Sequence, residues 1–246
     1  MQIEYAGVSH VGHRDENQDR VQVIASDGAA LMVVLDGMGG HSHGAAAAQA
    51  ALISLVASFQ ALAHPVLDPL GFLHRALGRA HDVVVELGQA LPVDQRPRAT
   101  CAIALIQCGY VYAAHLGDSR IYHLRDGLLL HRTRDQSHVE HLLQEGLISE
   151  SEVYGHPLRN FVESCLGGEA VLPEMLIHDS RRLQPSDLLL LCTDGVWSSL
   201  TDDELCAVWR DAPDLENTLR ELCNLAVLRA APHSDNTSAV VARIGQ

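Results

Sequence analysis

The sequence contains no lysine, so all 17 of its basic residues are arginines, and they stand against 31 aspartates and glutamates. The formal net charge is −14. A surface this acidic repels nucleic acids and anionic lipids at long range. We therefore expect no nucleic-acid partner and no membrane surface, whereas bound cations are compatible with the charge.

Paired cysteine motifs are also absent. The six cysteines include no C-x-x-C pair and no spacing that is typical of zinc sites. Cys192, which ends the apolar run LLLLC, is typical of a small buried side chain. Because the N-terminus has no basic and apolar signal sequence, the sequence predicts a protein of the reducing cytoplasm.

The fifteen histidines are not spaced as metal ligands. The stretches HVGH and HSHG have neither nearby cysteines nor the helical H-x-x-x-H frame of a zinc site. The glycine-rich GMGGHSHG lacks the Lys and Ser/Thr of a P-loop. We therefore predict neither a dedicated histidine site nor a nucleotide loop.

One long stretch, residues 45–63, has no charged residue. It is rich in alanine, serine and glutamine and has no flanking lysine or arginine anchors, so its insertion into a membrane would be weakly favourable. It predicts a buried amphipathic helix, with no membrane insertion.

The predicted elements follow the order strands, helices, strands, helices, strand. Apolar residues at helical spacing predict helices within residues 44–63 and 69–91. Strand-like runs between residues 99 and 133 are joined by turns too short for crossover helices, which favours antiparallel pairing. Capping-box patterns at Ser137 and Ser149 predict two short helices. We expect one α+β domain over residues 1–246, with helices covering the faces of a sheet sandwich.

Aspartates recur at the ends of the predicted strands. The run LMVVLDGMGG reaches Asp36-Gly37, and similar positions are held by Gly117-Asp118, Asp194-Gly195 and Asp235-Asn236. One such pair is typical of a turn, but four of them need a common explanation. Clustered carboxylates select hard cations such as Mg²⁺ and Mn²⁺, and without cations they would repel one another.

The glycine after Asp36 removes a side chain beside such a metal and offers its own carbonyl as a ligand. Two cations about 3.5 to 4 Å apart can share a bridging hydroxide, which attacks phosphorus without a protein nucleophile. Arg14, five residues before Asp19, offers paired donors that match phosphate oxygens. Taken alone, Arg14 fits a surface arginine paired with Asp15 or Glu16 better.

Seven motifs stand in order along the chain: NQDR, VLDGMGGH, GDSRIY, RDQSHV, HPLRN, LLCTDGVW and SDNTSAVV. With them the chain resembles the metal-dependent serine/threonine protein phosphatases of type 2C (the PPM family), and the compact bacterial members in particular. The resemblance covers the chain from about residue 6 to residue 244. It implies a four-layer α-β-β-α sandwich with two central, mainly antiparallel sheets and two Mn²⁺ or Mg²⁺ ions at one edge.

The resemblance implies roles for five of these positions. Asp36 is expected to bridge the two cations, and the Gly37 carbonyl to bind one of them. Asp194 and Asp235 complete the binuclear shell together with Asp19, which is expected to act largely through water.

Further roles are implied around this pair. Asp118, with Asp194, is expected to hold a third and weaker cation, and Arg14 to bind the substrate phosphate. Residues 137–160 correspond to a flap beside the cleft, where substrate choice is made.

The chain departs from the family pattern at two positions, Met38 and Ser198. Met38 follows Asp-Gly where eukaryotic members often have the histidine proposed as general acid. His41 is the candidate acid in this chain, and its reach to the leaving oxygen is not set by the sequence. Ser198 stands where some relatives carry another carboxylate, which weakens the third cation site.

The sequence thus predicts an enzyme that hydrolyses phosphoserine and phosphothreonine on proteins and opposes a bacterial kinase of the Hanks type. We expect it to act as a monomer. Two alternatives stay open: a non-catalytic module with the phosphatase fold, which would usually have lost metal carboxylates, and a hydrolase of small phosphate esters.

Overall fold

The computed structural model describes residues 2–39, 43–153 and 155–245, apart from the side chain of Glu150. The strands are β1 (Ile3–His10), β2 (Asp19–Ser26), β3 (Ala29–Met38), β4 (Arg98–Ala99), β5 (Cys101–Gln107), β6 (Tyr110–Leu116), β7 (Arg120–Arg125), β8 (Leu128–Arg132), β9 (Leu166–Gly167), β10 (Leu176–Arg182), β11 (Asp187–Cys192) and β12 (Thr237–Ile244). The helices are α1 (His43–Gln60), α2 (Pro69–Leu87), α3 (His138–Gln144), α4 (Glu150–Val153), α5 (Asp194–Trp197), α6 (Asp202–Ala207) and α7 (Leu215–Arg229).

The strands form two sheets. One has the order β1-β12-β11-β7-β8, and the other has the order β10-β6-β5-β3-β4-β9, with β2 also paired to β3. Neighbouring strands in both sheets run antiparallel. This confirms the predicted antiparallel pairing, which the short connections along residues 99–133 indicated.

Strand β3 shows how the layers are held together. Leu31, Val33 and Leu35 face α1 and α2, while Met32 and Val34 face the opposite sheet. All five side chains are fully buried. Burying each contributes roughly 1.5 to 3 kcal/mol relative to exposure. A continuous apolar run is therefore required of a strand that has packing partners on both faces.

Helix α1 accounts for the charge-free stretch. Its face formed by Ala47, Ala51, Leu55 and Phe59 is fully buried in the cluster beneath the second sheet. The prediction of a buried helix is confirmed, although α1 ends at Gln60 rather than at residue 63. No helix in the described ranges is long and apolar enough to cross a membrane.

Helices α5, α6 and α7 cover the outer face of the first sheet, where their apolar residues form one cluster with side chains of β7, β11 and β12. Helix α6 begins with a reciprocal capping box between Thr201 and Glu204. At Ser137 the side chain accepts from the Glu140 N–H. The resulting layers are helices, sheet, sheet and helices, so the four-layer α+β sandwich is confirmed. The single-domain boundary of 1–246 stays a prediction.

Candidate metal centre

Five aspartates meet at one end of the sandwich because the elements that carry them end or begin there. Asp19 opens β2 and lies opposite Asp36 of β3 in the antiparallel register. Directly opposed residues have Cβ atoms about 5 Å apart. Register alone therefore brings two carboxylates into contact range.

The other three aspartates lie in connections of the same edge. Asp118 follows β6, Asp194 begins α5 after β11, and Asp235 precedes β12. Together with Asp36 they line one open cleft of about 770 Å³. The cleft is also lined by Arg14. The structure thus brings all the sequence-predicted aspartates to one region, with Asp19 beneath the cleft, 2% exposed.

Two glycines permit the close approach of backbone at this edge. A Cβ on Gly37 would lie 2.1 Å from the Gly44 carbonyl oxygen, and one on Gly195 would lie 2.0 Å from that of Asn236. Neither position has room for a side chain. The glycine after Asp36 is therefore required by the packing of β3 against the start of α1, a reason that the sequence did not reveal.

Burial and mutual repulsion raise the pKa values of these carboxyl groups. Burial raises the pKa of Asp19 to about 7. Burial, followed by the charge of Asp235, raises the pKa of Asp194 to about 6. The pKa values of Asp36 and Asp118 lie well above their usual range, first through burial and then through neighbouring aspartates. Several negative charges thus share a site that disfavours them.

Two carboxylate oxygens in the site have no hydrogen-bond partner among the residues that the structure describes. Asp19 Oδ1 and Asp194 Oδ1 are buried without a hydrogen bond, whereas Asp19 Oδ2 accepts from Thr193 Oγ1 at 3.0 Å. An orphaned buried carboxylate oxygen is costly unless a cation compensates it. The donor set is all oxygen, which fits Mg²⁺ or Mn²⁺.

Direct protein contacts alone do not complete such a site. No three His, Cys, Asp or Glu side chains in the described ranges are arranged to hold one ion. Water and backbone oxygens would have to supply the remaining ligands, as is usual for Mg²⁺.

Arg14 reaches the cleft through a loop that is fixed from the far end of the chain. Asn236 donates to the carbonyls of Val11 and Glu16 and accepts from the Gln18 N–H. Arg14 Nη2 lies 2.7 Å from Asp235 Oδ2. Its ion pair is therefore with a cleft aspartate rather than with either of its neighbours in sequence.

Residues 6–230 match the family model described as protein phosphatase 2C. The chain belongs to this family. It is 32% identical, over 98% of its length, to the serine/threonine protein phosphatase PstP of Mycobacterium tuberculosis, and it spans 45% of that relative, about half its length.

Solved structures of family members superpose closely on this chain. The serine/threonine phosphatase of S. agalactiae gives a TM-score of 0.89 at 25% identity, covering 99% of this chain and 100% of that one. The catalytic domain of PstP in complex with two manganese ions gives 0.83 at 28% identity, covering 99% of both chains. The latter protein binds two metal ions on the same fold.

Several residues that hold the candidate site together were not found from the sequence. Thr100 donates its N–H to the Asp36 carbonyl, and its Oγ1 accepts from the Asp36 N–H and lies 2.7 Å from Ser119 Oγ. Thr193 binds Asp19 from the other sheet. Nothing local in the sequence indicates these contacts, because their partners are 19 to 174 residues apart.

A second group of side chains connects the cleft with Asp135, just before the predicted flap. The Arg120 guanidinium makes two hydrogen bonds to Asp135, at 2.8 and 2.9 Å, and lies 3.5 Å from the centre of the Trp197 ring. Trp197 Nε1 donates to the Asp118 carbonyl at 3.0 Å. Trp197 therefore supports the turn that carries Asp118.

The two ends of the flap lie close together in the structure. Ser137 pairs with Val162 in an isolated antiparallel bridge, and His138 N donates to the Phe161 carbonyl. Asn160 and Val162 line the cleft. The predicted flap of residues 137–160 thus forms an excursion beside the aspartates. His41, the candidate general acid, lies outside the described residues.

Proposed function

We propose that this chain is a metal-dependent protein phosphatase that removes phosphate from phosphoserine and phosphothreonine. One observation carries the proposal: the aspartate cluster has unpartnered buried oxygens and raised pKa values, which a stable protein without a cation would avoid. The names of the relatives support the same activity. The chain retains the five aspartates to which the family resemblance assigns metal binding.

Two Mn²⁺ or Mg²⁺ ions would be held by Asp36, which would bridge them, and by the Gly37 carbonyl on one of them. Asp194 and Asp235 would complete the shell together with Asp19, which would act largely through water. Two such ions, when bound, supply a hydroxide nucleophile at neutral pH and stabilise charge on the phosphoryl oxygens. Asp118 and Asp194 would hold a weaker third ion.

Arg14 would bind and orient the phosphate. Its side chain is 58% exposed and stands at the rim of the cleft, where its free donors can meet phosphate oxygens. The present pair with Asp235 would loosen when a cation takes that carboxylate. His41 stays the proposed acid that protonates the leaving oxygen.

The physiological substrates would be phosphoproteins made by a Hanks-type kinase, and the enzyme would act as a monomer in the cytoplasm. These assignments remain predictions from the family resemblance and from the cysteine pattern. They do not affect the chemistry of the site.

The test is hydrolysis of a phosphothreonine peptide by metal-stripped protein, titrated with Mn²⁺ and with Mg²⁺, beside the variant Asp36→Asn. We expect metal-dependent phosphate release that is lost in the variant. No release at saturating Mn²⁺ would favour the non-catalytic module. Release from p-nitrophenyl phosphate alone, with none from phosphopeptides, would favour the hydrolase of small esters.

A further inference from the structure

A second depression adjoins the proposed catalytic cleft. This flap groove, of about 950 Å³, lies between helix α3 and the segment 169–174, and its lining includes Met38 and Arg98 of the paired strands β3 and β4. It shares Met38, Asn160 and Val162 with the cleft. A chain whose phosphate sits at the aspartates can therefore continue into the groove without leaving the surface.

Glutamates dominate the charged lining of the flap groove. Glu140 and Glu163 stand on the side of the flap, and Glu169 and Glu174 on the opposite wall. Asp135 also lines it, but both its oxygens are occupied by the nearly buried Arg120.

Only part of this acidity is compensated within the protein. Glu163 faces His138 at 3.2 Å, an ion pair only when that histidine is protonated. Arg98 and Arg134 are the lining arginines, and Arg98 Nη2 donates to the Val93 carbonyl. Four glutamates thus face two arginines. Within the described residues no ion pair involves Glu169 or Glu174, and both are exposed.

Apolar side chains stand exposed beside these carboxylates. Phe161 is 57% exposed, Val171 75% and Leu172 49%, and all three line the flap groove. Arginine and lysine cover apolar surface with their aliphatic stems while their charged ends stay in water or meet carboxylates. An acidic groove with apolar walls is complementary to such side chains.

We propose that the flap groove selects phosphoprotein segments in which arginine or lysine flanks the phosphorylated residue. The inference rests on the proposed function and adds a substrate class to it. Basic flanking residues would pair with Glu169 and Glu174, which raises the encounter rate and disfavours acidic sequences through like-charge repulsion.

The experiment compares two phosphothreonine peptides of equal length, one flanked by arginines and the other by glutamates, together with p-nitrophenyl phosphate, which does not reach the groove. Wild-type protein in Mn²⁺ is measured beside Glu169→Gln/Glu174→Gln. The control is Glu216→Gln/Glu221→Gln on α7, which makes the same charge change on the far layer.

We expect the arginine peptide to have a kcat/KM about tenfold above that of the glutamate peptide, and the groove variant to reduce this ratio to about threefold. The control should keep the wild-type ratio, hydrolysis of p-nitrophenyl phosphate should be equal in all three proteins, and added salt should shrink the preference.

Equal rates for the two peptides, or an undiminished preference in the groove variant, would overturn the inference while leaving the proposed phosphatase activity intact. Absence of hydrolysis of every substrate would instead overturn the proposed function. A charge-reversed variant, Glu169→Arg/Glu174→Arg, should invert the preference, and a variant that does not would count against the groove.

Discussion

Strand β11 begins with Asp187 and is followed at its other end by Asp194, and the two carboxylates have opposite surroundings. Asp187 is fully buried and accepts hydrogen bonds from Arg125, from His123 Nε2 at 2.9 Å and from the Gln184 N–H at 2.9 Å. Burial alone would raise its pKa, but these donors, Arg125 foremost, lower it. Asp194 has a buried oxygen without a hydrogen-bond partner in the described part of the chain, and its pKa is raised.

The difference separates a carboxylate that stabilises the fold from the carboxylates that we propose bind cations. At Asp187 the protein supplies the positive charge itself. At the cleft, Arg14 is paired with Asp235, and the charge of Arg159 lowers the pKa of Asp194 but does not offset the effect of burial. Arginines paired with all of these carboxylates would compete with the cations that we propose the site binds. The free energy of folding that the metal-free protein loses by burying these carboxylates is what allows the site to bind cations.

The largest expected effect is on activity. Asp194→Asn should lower kcat/KM for p-nitrophenyl phosphate by about three orders of magnitude, since it removes a charged ligand from the proposed metal centre. Asp187→Asn, at the other end of the same strand, should change it by less than about threefold in folded protein. Steady-state kinetics in saturating Mn²⁺ measure both, with circular dichroism as the check on folding. Comparable losses of kcat/KM in both variants would contradict the proposed difference between Asp187 and Asp194.

The second effect is on the free energy of unfolding, and here Asp187→Asn should have a larger effect than Asp194→Asn. Asp187→Asn should cost about 3 kcal/mol, because it leaves Arg125 without its buried partner. Asp194→Asn should cost nothing in metal-free protein, since it relieves repulsion. Urea unfolding in EDTA at pH 7.5 gives both free energies. If Asp194→Asn proves the more destabilising variant, the cleft aspartates contribute to the fold in a way that the geometry does not reveal.

The third effect compares Arg14, which is paired with Asp235, with Arg125, which is paired with Asp187. Arg14→Ala should raise KM and lower kcat/KM for p-nitrophenyl phosphate by about tenfold or more, as expected for loss of a paired phosphate contact. Arg125→Ala should lower the melting temperature and leave the kinetics unchanged. Unchanged kinetics in Arg14→Ala would make its pair with Asp235 a surface salt bridge only.

The two ends of β11 also show which features of the molecule can be predicted from the sequence and which cannot. The fold class, the antiparallel pairing and the gathering of the aspartates follow from periodicity, short turns and the recurring motifs. Yet SDLLLLC and CTDGVW each place an aspartate beside the same apolar run. Nothing local separates the paired carboxylate from the unpaired one, because His123 and Arg125 lie on β7, 64 and 62 residues away.

Other parts of the site also depend on hydrogen bonds between residues that are far apart in the sequence. Asn236 fixes the Arg14 loop across about 220 residues, with partners at sequence separations of 218 to 225. The motif DNTS marks Asn236 as the neighbour of Asp235, a proposed metal ligand, but the contacts of Asn236 arise only once β12 is packed beside β1. Register and capping are local properties and can be predicted, whereas hydrogen bonds between sheets depend on the assembled sandwich.

The smallest effect is a pH dependence that should differ in sign between the two ends. Between about pH 4 and 7, folded metal-free protein binds more protons at Asp19 and Asp194 than the unfolded chain does, because folding raises their pKa values to about 7 and about 6. Stability from this source is complete below the unfolded pKa and is lost as the pH rises through these values. Asp187, whose pKa is lowered, contributes stability that is lost only as the pH falls below its ordinary value.

Unfolding free energies in EDTA from pH 4 to 8 separate the two contributions when wild type is compared with Asp194→Asn. The variant should gain on wild type as the pH rises through about 6, by on the order of 1 kcal/mol, because coupling to neighbouring aspartates and partial exposure reduce the full effect of the shift. Mn²⁺ should abolish this gain, since bound cations take the place of the protons. A constant difference across the pH range would mean that the cleft carboxylates ionise normally, and the contrast with Asp187 would then rest on hydrogen bonding alone.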